Sequence, residues 1–164
     1  SKFDEIVDQH GLEKIKTIGD AYMCAGGIPE PDESHVVKII DVAFEFIRFL
    51  KDSKSIMKDN ITPFDVRIGL NTGPVVAGVV GTKKFAYDIW GDTVNVASRM
   101  ESNSEPGRIN ISEYTYELIK DKFDCEYRGE IKVKNHGTMK MYFVNGRNDD
   151  QKSLEKKSGV SDKN

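Results

Sequence analysis

The chain has 164 residues, a formal net charge of −3 at pH 7 and a pI near 5.7. This length suffices for one hydrophobic core but not for two ordinary domains, and the acidic balance argues against nucleic acid or an anionic membrane as the main partner. No apolar run is long enough to span a bilayer, and Ser1 to Lys16 does not have the form of a signal peptide. The two cysteines and three histidines lack metal-type spacing. Together these features predict a cytoplasmic domain, whose parent protein could still be membrane-anchored.

The first predicted element is a short helix. Phe3 to Asp8 has a pattern that fits the end of a helix. Asp4 and Asp8 stand four residues apart and therefore share one face of that helix. We interpret them as a solvated acidic face rather than as metal ligands.

A hairpin follows the helix. Glu13 to Gly27 is typical of two strands, joined by the two-residue turn Gly19-Asp20, and Gly at the first central position predicts a type II′ turn. The turn holds the Asp20 carboxylate at a hairpin tip, where it is a candidate oxygen ligand for a divalent cation, although Asp is also common in turns for local reasons. Lys16 lies among apolar neighbours in the first strand, so its ammonium needs an acceptor.

The middle of the chain predicts one long helix and two extended segments. From Ser34 to about Lys54, apolar residues recur with helical spacing and form a stripe that faces a sheet: Val36, Val37, Ile40, Ala43, Phe44, Ile47 and Leu50. Phe64 to Asn71 alternates apolar and polar residues, as a half-buried strand does. After a turn at Gly73-Pro74, extended structure resumes from Val75 to Val80.

A strand interrupted by an acidic residue comes next. Phe85 to Ile89 is an aromatic and aliphatic run of the kind that forms strands, and Gly91 ends it. Asp88 lies within the run, where a carboxylate is costly to bury unless it is paired. Asp88 therefore either faces solvent at the strand end or binds a polar ligand.

The strand leads into a helix with two notable polar residues. Asp92 or Thr93 is suited to cap this helix, which is predicted to run to about Met100. Asn95 and Arg99 stand four residues apart, so an amide and a guanidinium share one face. For the helix taken alone, the simpler interpretation is a surface helix on which both groups are solvated.

The last elements complete a mixed α+β pattern. Arg108 to Ser112 predicts a strand, Glu113 to Lys120 a short helix, and Cys125 to Val133 with Lys140 to Asn145 a final hairpin. This order fits an antiparallel sheet with helices packed on one face. Residues 147–164 are charged and nearly devoid of apolar side chains, which predicts a disordered tail or linker.

Several long, ordered motifs resemble the catalytic domain of class III nucleotidyl cyclases, of the adenylyl cyclase type. They lie at Glu13 to Met23, Arg67 to Gly81, Tyr87 to Met100 and Met141 to Val144. The resemblance implies a ferredoxin-like core and a catalytic domain over residues 1–146.

The resemblance also implies a role for each polar residue of the motifs. Lys16 and Asp88 occupy the positions that recognise the adenine ring, whereas guanylyl cyclases of the family carry Glu at the first and commonly Cys at the second. Asn95 matches the residue that holds the ribose, and Arg99 matches the one that stabilises charge on the α-phosphate. Lys140 matches the Lys that neutralises the triphosphate. These residues imply ATP as the substrate.

The same resemblance implies metals and a partner subunit. In the family, two divalent ions, Mg²⁺ or Mn²⁺, lie between two aspartates at the interface of a head-to-tail dimer, here a homodimer. Asp20 looks like the second aspartate, but the opening strand that carries the first is not found, so we expect the domain to be incomplete at its N-terminus. A regulatory or sensor domain is expected outside this chain. Two alternatives are a catalytically inactive, nucleotide-binding regulatory half and, less favoured by Lys16 and Asp88, a guanylyl cyclase.

Overall fold

The computed structural model describes residues 1–56, 66–84 and 86–149, which form both helices and strands. The predicted mixed α+β class is confirmed. The elements are, in chain order, α1 (Lys2–Gln9), β1 (Glu13–Ile18), β2 (Ala21–Ala25), α2 (His35–Ile56), β3 (Ile68–Leu70), β4 (Val76–Val80), β5 (Ala86–Trp90), α3 (Asp92–Ser102), β6 (Ile109–Ser112), α4 (Glu113–Ile119), β7 (Phe123–Val133) and β8 (Gly137–Arg147). None of the helices in the described ranges is both long and apolar enough to cross a membrane.

The chain divides into two compact units. One comprises Ser1–Val66 and Gly73–Asn95, and the other comprises Arg67–Thr72 and Val96–Asn164. The predicted strand start at Phe64, the Phe85 position and residues 150–164 of the predicted tail all lie outside the described residues. The domain boundary after residue 146 stays a prediction.

Two antiparallel strand pairs belong to the first unit. β1 pairs with β2, and the Ile18–Ala21 pair closes a two-residue turn in which Gly19 has a φ of 59°. Only Asn135 among the described non-glycine residues has a positive φ, so Asp20 does not, which fits the predicted type II′ turn. β4 pairs with β5 from Val76–Trp90 to Val80–Ala86.

Aromatic stacking joins the helices of the first unit. The Phe3 ring of α1 stacks on Phe46 of α2, with centroids 4.2 Å apart, and Tyr22 of β2 meets Phe46 edge to face. The buried apolar side chains between residues 1 and 56 include Ile6, Val7, Leu12, Ile15, Val36, Ile40, Val42, Ala43 and Phe46. The core face of α2 therefore includes Val42 and Phe46, which lie outside the predicted stripe.

Asp4 does not belong to a purely solvated acidic face, so that interpretation was wrong for this residue. Its carboxylate accepts a hydrogen bond from the Tyr22 hydroxyl at 2.7 Å and lies 3.1 Å from Lys14 Nζ. The Tyr22 bond, followed by the Lys14 bond, holds the pKa of Asp4 well below its ordinary value. Asp4 thus joins α1 to the hairpin, a contact between distant segments that helical periodicity cannot reveal.

The second unit contains a four-stranded sheet of order β3-β6-β8-β7. The β6–β8 and β7–β8 pairs are antiparallel as predicted, but β3 and β6 are parallel, with Ile68 beside Ile109 and Leu70 beside Ile111. α3 lies between β3 and β6 in the chain, and a connection through a helix allows neighbouring strands to run in the same direction. The buried residues of the second unit include Val96, Met100, Ile109, Ile111, Ile119, Phe123, Met139 and Phe143.

Both cysteines are expected to react slowly in the folded chain. Burial raises the pKa of the Cys24 thiol to about 12 and that of Cys125 to about 11. Since the thiolate is the reactive form, we expect a disulfide reagent at pH 8 to modify the native chain at least ~100-fold more slowly than the unfolded chain. The measurement is the rate of thiol release with and without denaturant, and rapid modification of the native chain would contradict the expectation.

Candidate active site

Lys16 and Asp88 form an ion pair in the first unit. Lys16 Nζ donates to Asp88 Oδ2 at 3.0 Å, and the Ile89 amide donates to Asp88 Oδ1 at 2.8 Å. The Asp88 side chain is 21% exposed, and the Lys16 bond is the main reason why the pKa of Asp88 lies below its ordinary value. β1 and β5 thus place one fixed donor and one fixed acceptor side by side, 72 residues apart in sequence.

A β-bulge precedes Lys16. Lys14 pairs with Cys24 and Lys16 with Met23, so Ile15 is an extra residue on β1. Ile15 is buried, while Lys14 and Lys16 reach two different carboxylates, those of Asp4 and Asp88. A β-bulge changes the direction in which neighbouring side chains point. Here two lysines that are only two residues apart bind different carboxylates.

The hairpin that carries Asp88 exposes apolar side chains on the same face. Strand alternation places Trp90 beside Asp88 on β5, and the register places Val76 and Val80 on the same face of β4. These three apolar side chains are 43%, 56% and 43% exposed, respectively. Exposed apolar surface next to fixed polar groups is typical of a binding surface for a flat ring or for another protein chain.

Asp20 lies exposed at the tip of the β1–β2 hairpin. No group of three or more His, Cys, Asp or Glu side chains that could hold a metal occurs within residues 1–56, 66–84 and 86–149. Mg²⁺ is usually held by one or two carboxylates, with phosphate oxygens and water as its other ligands, rather than by a closed protein cage. Asp20 is therefore a single exposed carboxylate that could supply at most one protein ligand to such an ion.

Asn95 and Arg99 are exposed on α3, whereas Val96 and Met100 of the same helix are buried. An Arg99 Nη2 atom donates to the Lys132 carbonyl at 3.1 Å. Because a guanidinium has five N–H donors, this bond leaves others available for a ligand while it restrains the side chain. Arg99 is thus held by one bond and open to an anion.

The loop before β4 contacts the first turn of α3. Thr93 Oγ1 donates to the Pro74 carbonyl at 2.5 Å, and a Cβ at Gly73 would lie 2.7 Å from Thr93 Oγ1. A larger residue at Gly73 would therefore disturb this contact. The contact restrains the beginning of the helix that carries Asn95.

Lys140 lies on β8 with an exposed side chain, in register with Glu130 of β7. Its backbone amide donates to Glu113 Oε1 at 3.1 Å, which ties the strand to the start of α4. The ammonium group is carried by a regular strand and not by a loop. Within the second unit, Lys140 and Arg99 are the two cations predicted to bind phosphate.

Sequence reasoning missed two residues that fix the end of α3. A Cβ at Gly69 would lie 1.9 Å from the Glu101 nitrogen, so only glycine allows β3 to approach this helix so closely. Asn110 is completely buried on β6 and donates to the Met100 carbonyl at 2.9 Å. Gly69 inside a strand pattern was a usable signal for close backbone approach. Asn110 offered no such signal, because its partner is a distant carbonyl.

Comparison with known proteins extends these observations. The family model described as "Adenylate and Guanylate cyclase catalytic domain" matches residues 1–146. The chain is 48% identical over 150 residues to an adenylate cyclase of Mycobacterium bovis, covering 90% of this chain and 32% of that protein. It is 40% identical over 162 residues to a receptor-type guanylate cyclase, gcy-5, of Caenorhabditis elegans, covering 94% of this chain and 14% of that protein.

A solved structure is similar as well. The guanylate cyclase domain of RhGC from Catenaria anguillulae, crystallised with GTP, superposes with a TM-score of 0.79 at 41% identity, over 89% of this chain and 79% of that one. The chain spans about a third or less of the two full-length relatives. Adenylate and guanylate cyclases both match, so similarity alone does not choose the base.

Proposed function

The chain belongs to the adenylate and guanylate cyclase catalytic domain family, and from this premise we propose that it is an adenylyl cyclase catalytic domain. It converts ATP to 3′,5′-cyclic AMP and pyrophosphate. The observation that carries the choice of ATP is the Lys16–Asp88 pair, with Nζ and Oδ2 3.0 Å apart.

Base selection follows from the hydrogen-bonding capacity of the pair. An ionised Asp only accepts and a Lys only donates, and their mutual bond uses one of the three Lys N–H groups. Adenine presents an exocyclic amine, a donor, where guanine presents an oxygen, an acceptor. Asp88 therefore bonds the amine of adenine but faces the oxygen of guanine without a proton between them. A site of this kind rejects a ligand that leaves its polar groups unpaired.

Three further residues act on the sugar and phosphates. Asn95 orients the ribose so that its 3′-oxygen attacks the α-phosphate in line, with pyrophosphate as the leaving group. Arg99 stabilises the charge that develops on the α-phosphate, and Lys140 neutralises the triphosphate. Catalysis in phosphoryl transfer is mainly positioning and electrostatic stabilisation, and this set of side chains performs both.

The proposed enzyme requires a divalent metal ion as its cofactor. Asp20 would supply one carboxylate ligand to Mg²⁺ or Mn²⁺, and two bound ions would favour ionisation of the attacking hydroxyl and neutralise the phosphates. The remaining ligands are the substrate phosphates, water and a further aspartate that the resemblance expects upstream of Asp20.

We further infer that the enzyme works as a head-to-tail homodimer. In this arrangement Asp20 of one subunit serves the nucleotide bound by Lys16, Asp88, Asn95 and Arg99 of the other. The exposed apolar side chains around Asp88 support it, because monomeric proteins rarely leave such surface uncovered. A sensor or regulatory domain in the rest of the protein controls the dimer.

The proposal is tested by assaying the full-length protein with ATP and GTP side by side, with Mg²⁺ and then with Mn²⁺. We expect kcat/KM for ATP to exceed that for GTP by at least ~100-fold, because Asp88 is left unpaired by guanine. The second candidate is a guanylyl cyclase, which the 40% identity to a guanylate cyclase favours. A higher kcat/KM for GTP would establish it, and nucleotide binding without product would indicate a regulatory half.

A further inference from the structure

Asn110 is a fully buried polar side chain beside two methionines. The residue is 0% exposed, and its Nδ2 atom lies 3.4 Å from the Met141 sulfur and 3.7 Å from the Met100 sulfur. Nδ2 also donates a hydrogen bond to the Met100 carbonyl at 2.9 Å. Met100 and Met141 belong to a buried apolar cluster with Val96, Val133 and Met139.

The Met100 carbonyl is one of the groups that a helix end leaves without a partner. α3 ends at Ser102; the Asn103 amide still bonds to the Arg99 carbonyl at 3.1 Å, so the Met100 carbonyl is the first to lack the amide that a longer helix would offer. The Ser104 amide, which would be the natural donor, bonds instead to Glu101 O at 3.0 Å. Asn110 supplies the missing donor from the sheet.

The amide is not explained by stability alone. Asn110 Oδ1 is buried and has no hydrogen-bond partner among the residues that the structure describes. This unpaired atom is destabilising and offsets part of what the Nδ2 bond contributes; an apolar side chain would remove the unpaired atom but would leave the Met100 carbonyl without its donor. What only the amide provides is a directional bond to the last turn of α3.

That bond acts on the helix turn that carries Arg99. Arg99 directly precedes Met100, and its guanidinium reaches the Lys132 carbonyl at 3.1 Å. Gly69 is the register partner of Asn110 on the neighbouring strand β3, and a Cβ at Gly69 would lie 1.9 Å from the Glu101 nitrogen. The sheet thus holds this turn by a close glycine contact and, beside it, one hydrogen bond.

We propose that Asn110 is a positioning residue for the cyclase reaction: through the Met100 carbonyl it fixes the turn that aims the Arg99 guanidinium at the α-phosphate. The inference rests on the proposed function of Arg99. It assigns Asn110 an effect on the chemical step and not on nucleotide binding, because Asn110 touches neither the base site nor solvent.

The first test replaces the amide by an apolar group of similar size in the full-length protein. Asn110→Leu is expected to lower kcat at least ~10-fold while KM and the affinity for a non-cyclisable ATP analogue stay within ~2-fold. Ile111→Val is the matched control, since Ile111 is equally buried and strand alternation places it on the opposite face of β6 from Asn110. This control is expected to keep kcat, and a kcat for Asn110→Leu equal to that of the control would overturn the proposal.

A second variant covers the case in which Asn110→Leu does not fold. Asn110→Ala removes the amide without adding volume, so it cannot overpack the core. Where its melting curve shows a folded protein at the assay temperature, kcat is expected to fall at least several-fold with KM nearly unchanged. A kcat equal to that of Ile111→Val would contradict a role for the hydrogen bond.

A double-substitution cycle separates this inference from the function on which it rests. In an Arg99→Ala background, Asn110→Leu is expected to cause no further loss of kcat, because the group that it positions is gone. Additive losses would overturn the positioning role while leaving the role of Arg99 intact. Full activity of Arg99→Ala alone would instead refute the proposed function.

Discussion

An equimolar mixture of Asp20→Ala and Arg99→Ala variants of the full-length protein is expected to regain about a quarter of wild-type activity, although each variant alone loses at least ~100-fold. In a head-to-tail dimer, each site takes Asp20 from one subunit and Arg99 from the other. A mixed dimer therefore has one site with both substitutions and one site with neither. If half the dimers are mixed and each has one working site of two, about a quarter of the sites function.

The matched control mixes Arg99→Ala with Asn95→Ala. Both residues are exposed on α3, and in the proposed dimer both serve the site from the same subunit. Every site in such a mixture carries one of the two substitutions, so no activity should return. Cyclic AMP formation, measured as a function of mixing ratio, checks both expectations. Recovery in the control, or none in the Asp20 mixture, would refute the composite site.

A combined Lys16→Glu and Asp88→Cys substitution is expected to reverse the base preference. The carboxylate of Glu accepts from guanine N–H groups, and the neutral Cys no longer opposes the guanine oxygen. We expect the ratio of kcat/KM for ATP over GTP to fall at least ~100-fold. Product formation from both nucleotides, assayed under identical metal conditions, measures this ratio.

Two single variants serve as controls for this test. Lys16→Glu alone replaces an ion pair of 3.0 Å by two adjacent carboxylates, so it should weaken the binding of both nucleotides. Lys14→Ala is the control, since Lys14 binds Asp4 and not Asp88. An altered ATP-to-GTP ratio in Lys14→Ala would show that the ratio reports general damage to the hairpin.

The elements of the fold were predictable where a local pattern defines them. The β1–β2 hairpin follows from alternating residues around Gly19-Asp20, and the turn forms as expected because glycine adopts a positive φ of 59° there. α2 follows from its helical periodicity. The parallel pairing of β3 with β6 was not predictable, because strand direction depends on how the intervening chain returns to the sheet.

The candidate site likewise has features that local sequence predicts and features that depend on distant contacts. Long motifs determined the family and nominated Lys16, Asp20, Asp88, Asn95, Arg99 and Lys140 from the sequence alone. These residues could be nominated because they occupy fixed positions in short, ordered motifs such as Tyr87 to Met100. Their assignment to base, ribose, phosphate and metal stays a prediction.

Only the tertiary structure decided which groups meet. The Lys16–Asp88 pair joins residues 72 positions apart, and the Asn110–Met100 bond joins a strand to a helix end. Neither contact has a sequence period, because a hydrogen bond depends on the distance and direction between two groups and not on their spacing along the chain. The sequence by itself determined the family and nominated the candidate residues of the site. The packing of β1 on β5, and of α3 on β3 and β6, decided how those groups are held.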